Sequence, residues 1–214
     1  MPLTDYTENQ LQDHHWRTDA WVRPATHYFG LFIATRGFWT TLTNYSSGDT
    51  ILPTVSNGRM YRATSSGQSA ASEPTWPTVA GASVADGGVV WQEMTPDWQA
   101  NNAFLDEVTT VASGYARVGV PRGNASFLGT HGTTTGPSSG TGGNIRNAVL
   151  IEYGTPALTW GLVGFWGSFD ALTAGNLTWY APLTIPRLVV QGSTPPAFPF
   201  GALGITVNTP TSVV

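Results

Sequence analysis

Four histidines, thirteen carboxylates and no cysteine bound the chemistry open to this 214-residue chain. His14, His15, His27 and His131 are the nitrogen ligands on offer to a metal. A metal site needs several ligands that converge, usually at helical or turn spacing. The adjacent pair His14 and His15 would diverge on a helix, so no metal is expected. Glycoside cleavage needs two carboxylates roughly 5–10 Å apart. Glu73, Asp86, Glu93, Asp106, Glu107, Glu152 and Asp170 are the candidates, and several fall at turns, where an Asp bonds its own backbone. Nothing in their spacing marks one pair, so a polysaccharide hydrolase stays a remote reading. The sequence holds no nucleophile elbow, no Walker motif and no dinucleotide fingerprint. Its glycine-rich stretch 136–144 lacks the lysine and following helix of a phosphate cradle and reads as a flexible loop. Without cysteine there is neither a disulfide framework nor thiolate chemistry. Neither a cofactor nor a catalytic residue is expected.

The aromatic residues carry the remaining chemistry. In "SEPTWPTVAGASVADGGVVWQE" (72–93), Trp76 is held between Pro74 and Pro77, and Trp91 ends a short apolar run. Sugar rings present apolar C–H faces that stack on indole and phenol rings, with polar neighbours fixing their orientation. Trp76 and Tyr61 could supply such a face, and Arg59, Arg62 and Gln92 the hydrogen bonds. The competing reading is a core. A block of some sixty residues without a disulfide needs large aromatics inside it, each worth roughly 150–250 Å² of buried surface. Trp91 is expected in that core, and Trp76, fixed at a turn, on the contact side.

The elements around these residues read as mainly β. Glycine (25) and proline (15) punctuate the chain throughout, between runs rich in Thr, Val and aromatics. One helix is expected over 4–17, with Thr4 as cap and Asp5 and Glu8 at the positive end of its dipole. Its apolar face is poor, so it must dock to persist. Residues 27–35 read as a buried strand, and 145–156 as another. Residues 158–170 and 177–185 form a strong hairpin, with further strands at "RLVVQG" and "GALGITV". Asn57-Gly58 and Asp86-Gly87 are hairpin-type turns. The fold expected is an antiparallel β-sandwich with a short N-terminal helix and an inserted small all-β domain. Residues 1–38 and 99–214 make the sandwich, and 39–98 the insert.

Only 10% of residues are charged, against roughly 25% in an average domain. All nine basic residues are arginine. A weakly charged surface promotes association. The net charge of −4 argues against nucleic acid as a partner. No run approaches the roughly 20 apolar residues of a membrane helix, so no membrane partner is expected. "MPLTDYTENQ" has no basic and apolar leader segments, which predicts cytoplasmic synthesis.

"LTDYTENQL…WVRPATHYFGLF", "SGYARVGV" and "WGLVGFWGSFDALTAGNLTWYAPL" resemble a family of small virion-surface proteins of tailed bacteriophages, often labelled tail fibre protein, with relatives in phage-like gene transfer particles. The motifs cover most of 3–35 and 104–207. The block between them, with its GD…P…NG…Y…AT…G.S…EPTWP…DG..W order, is similar to a carbohydrate-binding-like module of phage structural proteins. The resemblance implies a structural or adhesive role on the virion surface, in a tail-fibre, baseplate or head-decoration position. It implies other virion proteins as partners, synthesis in the host bacterial cytoplasm, and host-surface glycan as a further partner.

The hairpin strands are apolar on both faces, with Leu162, Gly164 and Trp166 expected on one side and Val163, Phe165 and Gly167 on the other. One face is assigned to the sandwich core and the other to a symmetry-related chain. A homo-oligomer follows, a trimer by analogy with phage spikes. Its interface, or that with neighbouring virion proteins, is assigned to His14, His15, Trp16, Trp166, Trp179 and Tyr180, while the insert projects outward.

Overall fold

The computed structural model describes residues 3–100, 106–139 and 143–206. The chain begins with α1 (Asp5–Trp16). Thr4 caps it, and the helix docks through hydroxyls rather than an apolar stripe. The Thr4 N–H (3.3 Å) and the Thr7 Oγ1 (3.0 Å) both donate to the Thr178 carbonyl. Leu11 stays 39% exposed. The helix thus solves its poor amphipathicity by hydrogen bonding to a strand.

That strand belongs to the main sheet. β1 (Thr26–Ala34), β8 (Val118–Pro121), β12 (Gly161–Phe169) and β13 (Leu177–Val189) pair antiparallel in the order β13-β12-β1-β8. The expected hairpin is β12–β13, and "RLV" continues β13 rather than starting a new strand. β13 is an edge, which in an unprotected sheet invites pairing with another chain. Leu3 bridges it at Trp179, and Pro182 and Pro186 remove donors further along.

β12 is buried at every position after Gly161. Its two faces do not alternate as simple strand geometry predicts. Val163 and Trp166 enter one core, while Leu162, Phe165 and Phe169 enter another. Phe32 pairs with Phe165 and Ile33 with Val163, so Gly164 is the extra residue of a bulge. A Cβ on Gly164 would lie 2.8 Å from Leu52 Cδ1, so only glycine admits that leucine.

The first core holds Phe29, Leu31, Trp160, Val163 and Trp166. Small sheets cover it: β9 (Phe127–Leu128), β10 (Asn144–Asn147) and β15 (Gly204–Thr206) in one, β11 (Ile151–Glu152) and β14 (Ala197–Phe198) in another. The expected strand at 145–156 is thus two short strands. Facing sheets around one core make the mainly β, antiparallel sandwich.

The second core corrects an expectation. It joins Phe32, Leu162, Phe165, Phe169, Leu177 and Tyr180 to Leu52, Met60, Met94 and Trp98. The chain itself covers this face, so the face offers nothing to a symmetry-related copy. The covering block contains β2 (Asn44–Tyr45) with β5 (Gly67–Gln68), and β3 (Thr50–Ile51), β4 (Tyr61–Ala63), β6 (Ser83–Asp86) and β7 (Val89–Glu93) in the order β3-β4-β7-β6. Its strands form ladders only with one another, yet it lies on the main sheet instead of standing clear. A second short helix, α2 (Thr95–Gln99), carries Trp98 into the seam. The indole meets Phe165 at 4.1 Å and Tyr180 at 5.0 Å between ring centroids, both edge-on. Two ion pairs reinforce the seam, from Arg62 to Asp97 (2.5 Å) and to Asp106 (2.8 Å).

Trp98 is therefore the plug between the block and the sheet. Trp98→Ala is expected to lower unfolding free energy by about 3–5 kcal/mol, read from urea denaturation. A loss below about 1 kcal/mol would mean that the seam contributes little.

Candidate functional site

The residues singled out for sugar contact do not form one surface. β4 and β7 pair with Tyr61 opposite Glu93, Arg62 opposite Gln92 and Ala63 opposite Trp91. Side chains alternate across a strand. Tyr61 therefore points into the block with Trp91, and Arg62 and Gln92 point the other way. Tyr61 is fully buried, and its hydroxyl donates to the Pro77 carbonyl (2.7 Å) while accepting from Asn57 Nδ2 (2.8 Å). Arg59 is held by Glu93 and Thr95, both at 2.9 Å, beside a cavity of about 280 Å³ against Phe165 and Tyr180. Gln92 is exposed and reaches the Gly81 carbonyl.

Trp76 is half-buried on the inward side. Its ring lies 4.5 Å from Tyr61 and 6.1 Å from Trp91 between centroids. Its indole N–H is committed to Glu73 Oε1 at 2.7 Å. Burial raises the Glu73 pKa, and hydrogen bonds from Thr54 and Trp76 outweigh that and hold it below the usual carboxylate value. The proline-rigid turn thus serves the block's core, and the contact role expected of Trp76 gives way to packing.

Asp86 explains the rest of the motif. It is 2% exposed, and its Oδ2 accepts from the indoles of Trp39 (2.7 Å) and Trp91 (2.9 Å). Oδ1 accepts from the Ala70 N–H at 2.8 Å. Asp86 ends its strand, so Gly87 and Gly88 make the β6–β7 turn, with Gly87 at φ 61°. Glu93 plays the same part nearby, accepting from Arg59, from Thr95 and from the Gly81 N–H. Asn57-Gly58, by contrast, is not a two-residue hairpin turn. Asn57 Oδ1 accepts from the Arg59 N–H in a turn within the β3–β4 connection. A further carboxylate, Glu107, grips Arg117 through two bonds of 2.8 and 2.7 Å and accepts from Tyr115.

Interface candidates divide as sharply. His14, His15 and Trp16 are exposed at the end of α1, Trp16 at 80%. Trp166 and Tyr180 are buried within this chain at 5% and 3%, so neither can meet a partner. Trp179 is half-buried and lines a cavity of about 330 Å³, which the sequence does not reveal.

That cavity opens where the main sheet and the β15-β10-β9 sheet splay apart. His27, Ser168 and Trp179 line its main-sheet side, with Ser168 directly across the ladder from Trp179. Phe127 and Ile145 line the facing side. The rim comes from Arg122 and Asn124, and from the turn at 129–138. That turn is ordered by hydrogen bonds. The Thr133 N–H donates to His131 Nδ1 (3.2 Å), so Nε2 carries the proton and donates to the Pro137 carbonyl (3.0 Å). The flexible loop expected here is, over its described residues, a built wall. Of the lining only Trp179 is marked as a contact residue in the sequence. The others lie between positions 27 and 205, and no local spacing links them.

Three outcomes follow. Asp86→Ala strands two indole donors and is expected to cost about 3 kcal/mol or more. Trp76→Ala, at a half-buried site, is expected to cost about 2 kcal/mol. Both are read by chemical denaturation and near-ultraviolet dichroism, and wild-type stability in Trp76→Ala would restore the contact reading. Burial and the nearby Arg122 lower the His27 pKa below its ordinary 6.5. The unfolded chain then binds a proton that the folded chain refuses, so stability falls as pH drops below about 6.5. Melting temperature against pH should be flatter for His27→Gln.

A family model described as podophage GP4 fiber I protein gp80 matches residues 89–206, more than half of the chain. No curated protein matches it. The match takes in β7, the Trp98 plug, the β12–β13 hairpin and most of the cavity lining. On that span the chain belongs to the podophage fibre I (gp80) family.

Proposed function

We propose that this chain is a non-enzymatic structural protein on the surface of a tailed-phage or phage-like particle. It is made in the host bacterial cytoplasm and seated in a tail-fibre, baseplate or head-decoration position. Membership of a podophage fibre family carries the reading. The state of the carboxylates supports it. Asp86, Glu93 and Glu107 each accept three or more internal donors, so these acids are engaged in holding the fold.

In this reading residues 1–38 and 99–214 are the base, and 39–98 are a small β domain facing outward. Neighbouring virion proteins meet the exposed His14, His15 and Trp16. A homo-oligomer, taken as a trimer by analogy with phage spikes, is supported by the low surface charge. Ile185 and Leu188, exposed at 79% and 62% on β13, are among the exposed apolar residues such an interface could use. A second reading, a host-glycan adhesin, is favoured by the cavity beside Trp179 and not by the Trp76 side of the small domain.

Gold-labelled antibody against this chain is expected to decorate intact particles in electron micrographs. Label at the tail tip or baseplate fixes a tail role, label around the head a decoration role, and unlabelled particles would sink the proposal. Light scattering of the full chain at micromolar concentration should give the mass of three copies. A monodisperse monomer would remove the oligomer.

A further inference from the structure

We propose that the cavity between the main sheet and the β15-β10-β9 sheet binds one ring of an acidic saccharide, a sugar unit bearing a carboxylate. Its size, about 330 Å³, falls in the range of ligand sites, roughly 300–1,000 Å³. Its walls combine two chemistries. Trp179 and Phe127 offer flat apolar surface, while Asn124 and Ser168 offer neutral hydrogen-bonding groups, the Thr133 and Ser138 hydroxyls being engaged within the turn. A saccharide ring has that same division, with apolar C–H faces and a rim of hydroxyls.

Ser168 places a hydroxyl on the cavity's main-sheet side. The residue is 1% exposed, lines the cavity and stands directly across the ladder from Trp179. A serine hydroxyl can both donate and accept, which suits it to a ligand hydroxyl beside the Trp179 ring.

Charge sets the ligand class. Among the described residues no Asp or Glu lines the cavity, in a chain of net charge −4. Arg122 stands at the rim and makes no ion pair among the described residues. Its Nη1 donates to the Arg23 carbonyl at 3.2 Å, which leaves most of its five donors for a ligand. A guanidinium matches a carboxylate through paired bonds. His27 packs edge-on against Phe127 at 5.9 Å between ring centroids and holds one end of the floor.

The inference deepens the adhesin reading, because a particle's surface is where such a saccharide would be met. Binding is measured with the purified full chain, by calorimetry and tryptophan fluorescence. The probes are oligosaccharides containing galacturonate, glucuronate or sialate, with neutral galactose oligosaccharides, acetate and inorganic phosphate as controls. At least one acidic saccharide is expected to bind tenfold or more tighter than its neutral counterpart. Arg122→Gln, at an exposed position, should erase that discrimination, and Ser168→Ala should weaken binding about tenfold. Both variants should keep the wild-type dichroism and melting temperature. No binding across the acidic panel, equal binding of neutral sugars, equal competition by acetate or phosphate, or unchanged binding in both variants would each overturn the proposal. Particle labelling is an independent readout. A chain that decorates particles yet binds no acidic saccharide refutes the cavity alone, and one that binds yet decorates nothing refutes the surface placement alone.

Discussion

A strand buried on both faces must be covered twice, and β12 is such a strand along nearly its whole length. The short sheets after β8 cover one side, with Ile151, Tyr153 and Leu203 packing on Phe29 and Trp166. The block around β2–β7 covers the other, through Leu52, Met60, Met94 and Trp98. Removing that block would expose Phe32, Phe165 and Phe169 together, a contiguous apolar surface that soluble monomers rarely tolerate. The block is therefore a structural half of the fold as well as an attachment to it. The Gly164 bulge follows from the same demand. It re-aims the strand so that Phe165 and Phe169 reach the block while Val163 and Trp166 keep the opposite side.

The block is too small to be held by apolar burial alone, and its carboxylates supply the rest. Asp86 collects two indole N–H donors and a backbone donor. Glu73 ties the Pro-Thr-Trp-Pro turn to Thr54. Hydrogen bonds to a charged group contribute roughly 1.5–3 kcal/mol each, about twice the neutral kind, so one acid can anchor several tryptophans. This arrangement also strips charge from the outside. Asp86, Glu93 and Asp106 are all under 4% exposed. The solvent-facing surface is thus still less charged than the composition suggests, which strengthens the case for a protein that lives among neighbours.

Much of this was legible in the sequence. The capped helix at Thr4, the buried strand at 27–35 and the β12–β13 hairpin all carry local signals, namely a cap, an apolar run and two apolar runs close together in the sequence. The bulge was not legible, because a glycine in a strand signals irregularity without saying which way the register moves. The assignments of Trp166 and Tyr180 to an interface failed for a related reason. Two apolar faces say that a strand is covered twice, and not whether the cover comes from the same chain. The EPTWP turn was read as a contact surface because a proline-held indole with polar neighbours suits a sugar, while Trp91 after the DG turn was read as core. Their geometry satisfies the indoles internally instead, and only the hydrogen-bond directions separate the two cases.

The cavity has the same kind of origin. The covering strands β9, β10 and β15 are two, four and three residues long, while β12 and β13 run for nine and thirteen. At about 3.3 Å per residue the shorter sheet cannot reach along the longer one, so part of the main sheet's face is left for side chains and a turn to close. A gap that served packing alone would be lined by apolar groups and would stay dry. This one is lined in part by polar groups, with the Ser168 hydroxyl on the main-sheet side, an arginine at its rim, and a wall fixed by His131. Polar groups in a void of this kind are satisfied by water until something better arrives. A saccharide ring can replace that water group for group and add stacking on Trp179. On the proposed reading, the polar lining at this end of the sandwich is a receptor surface rather than a packing defect.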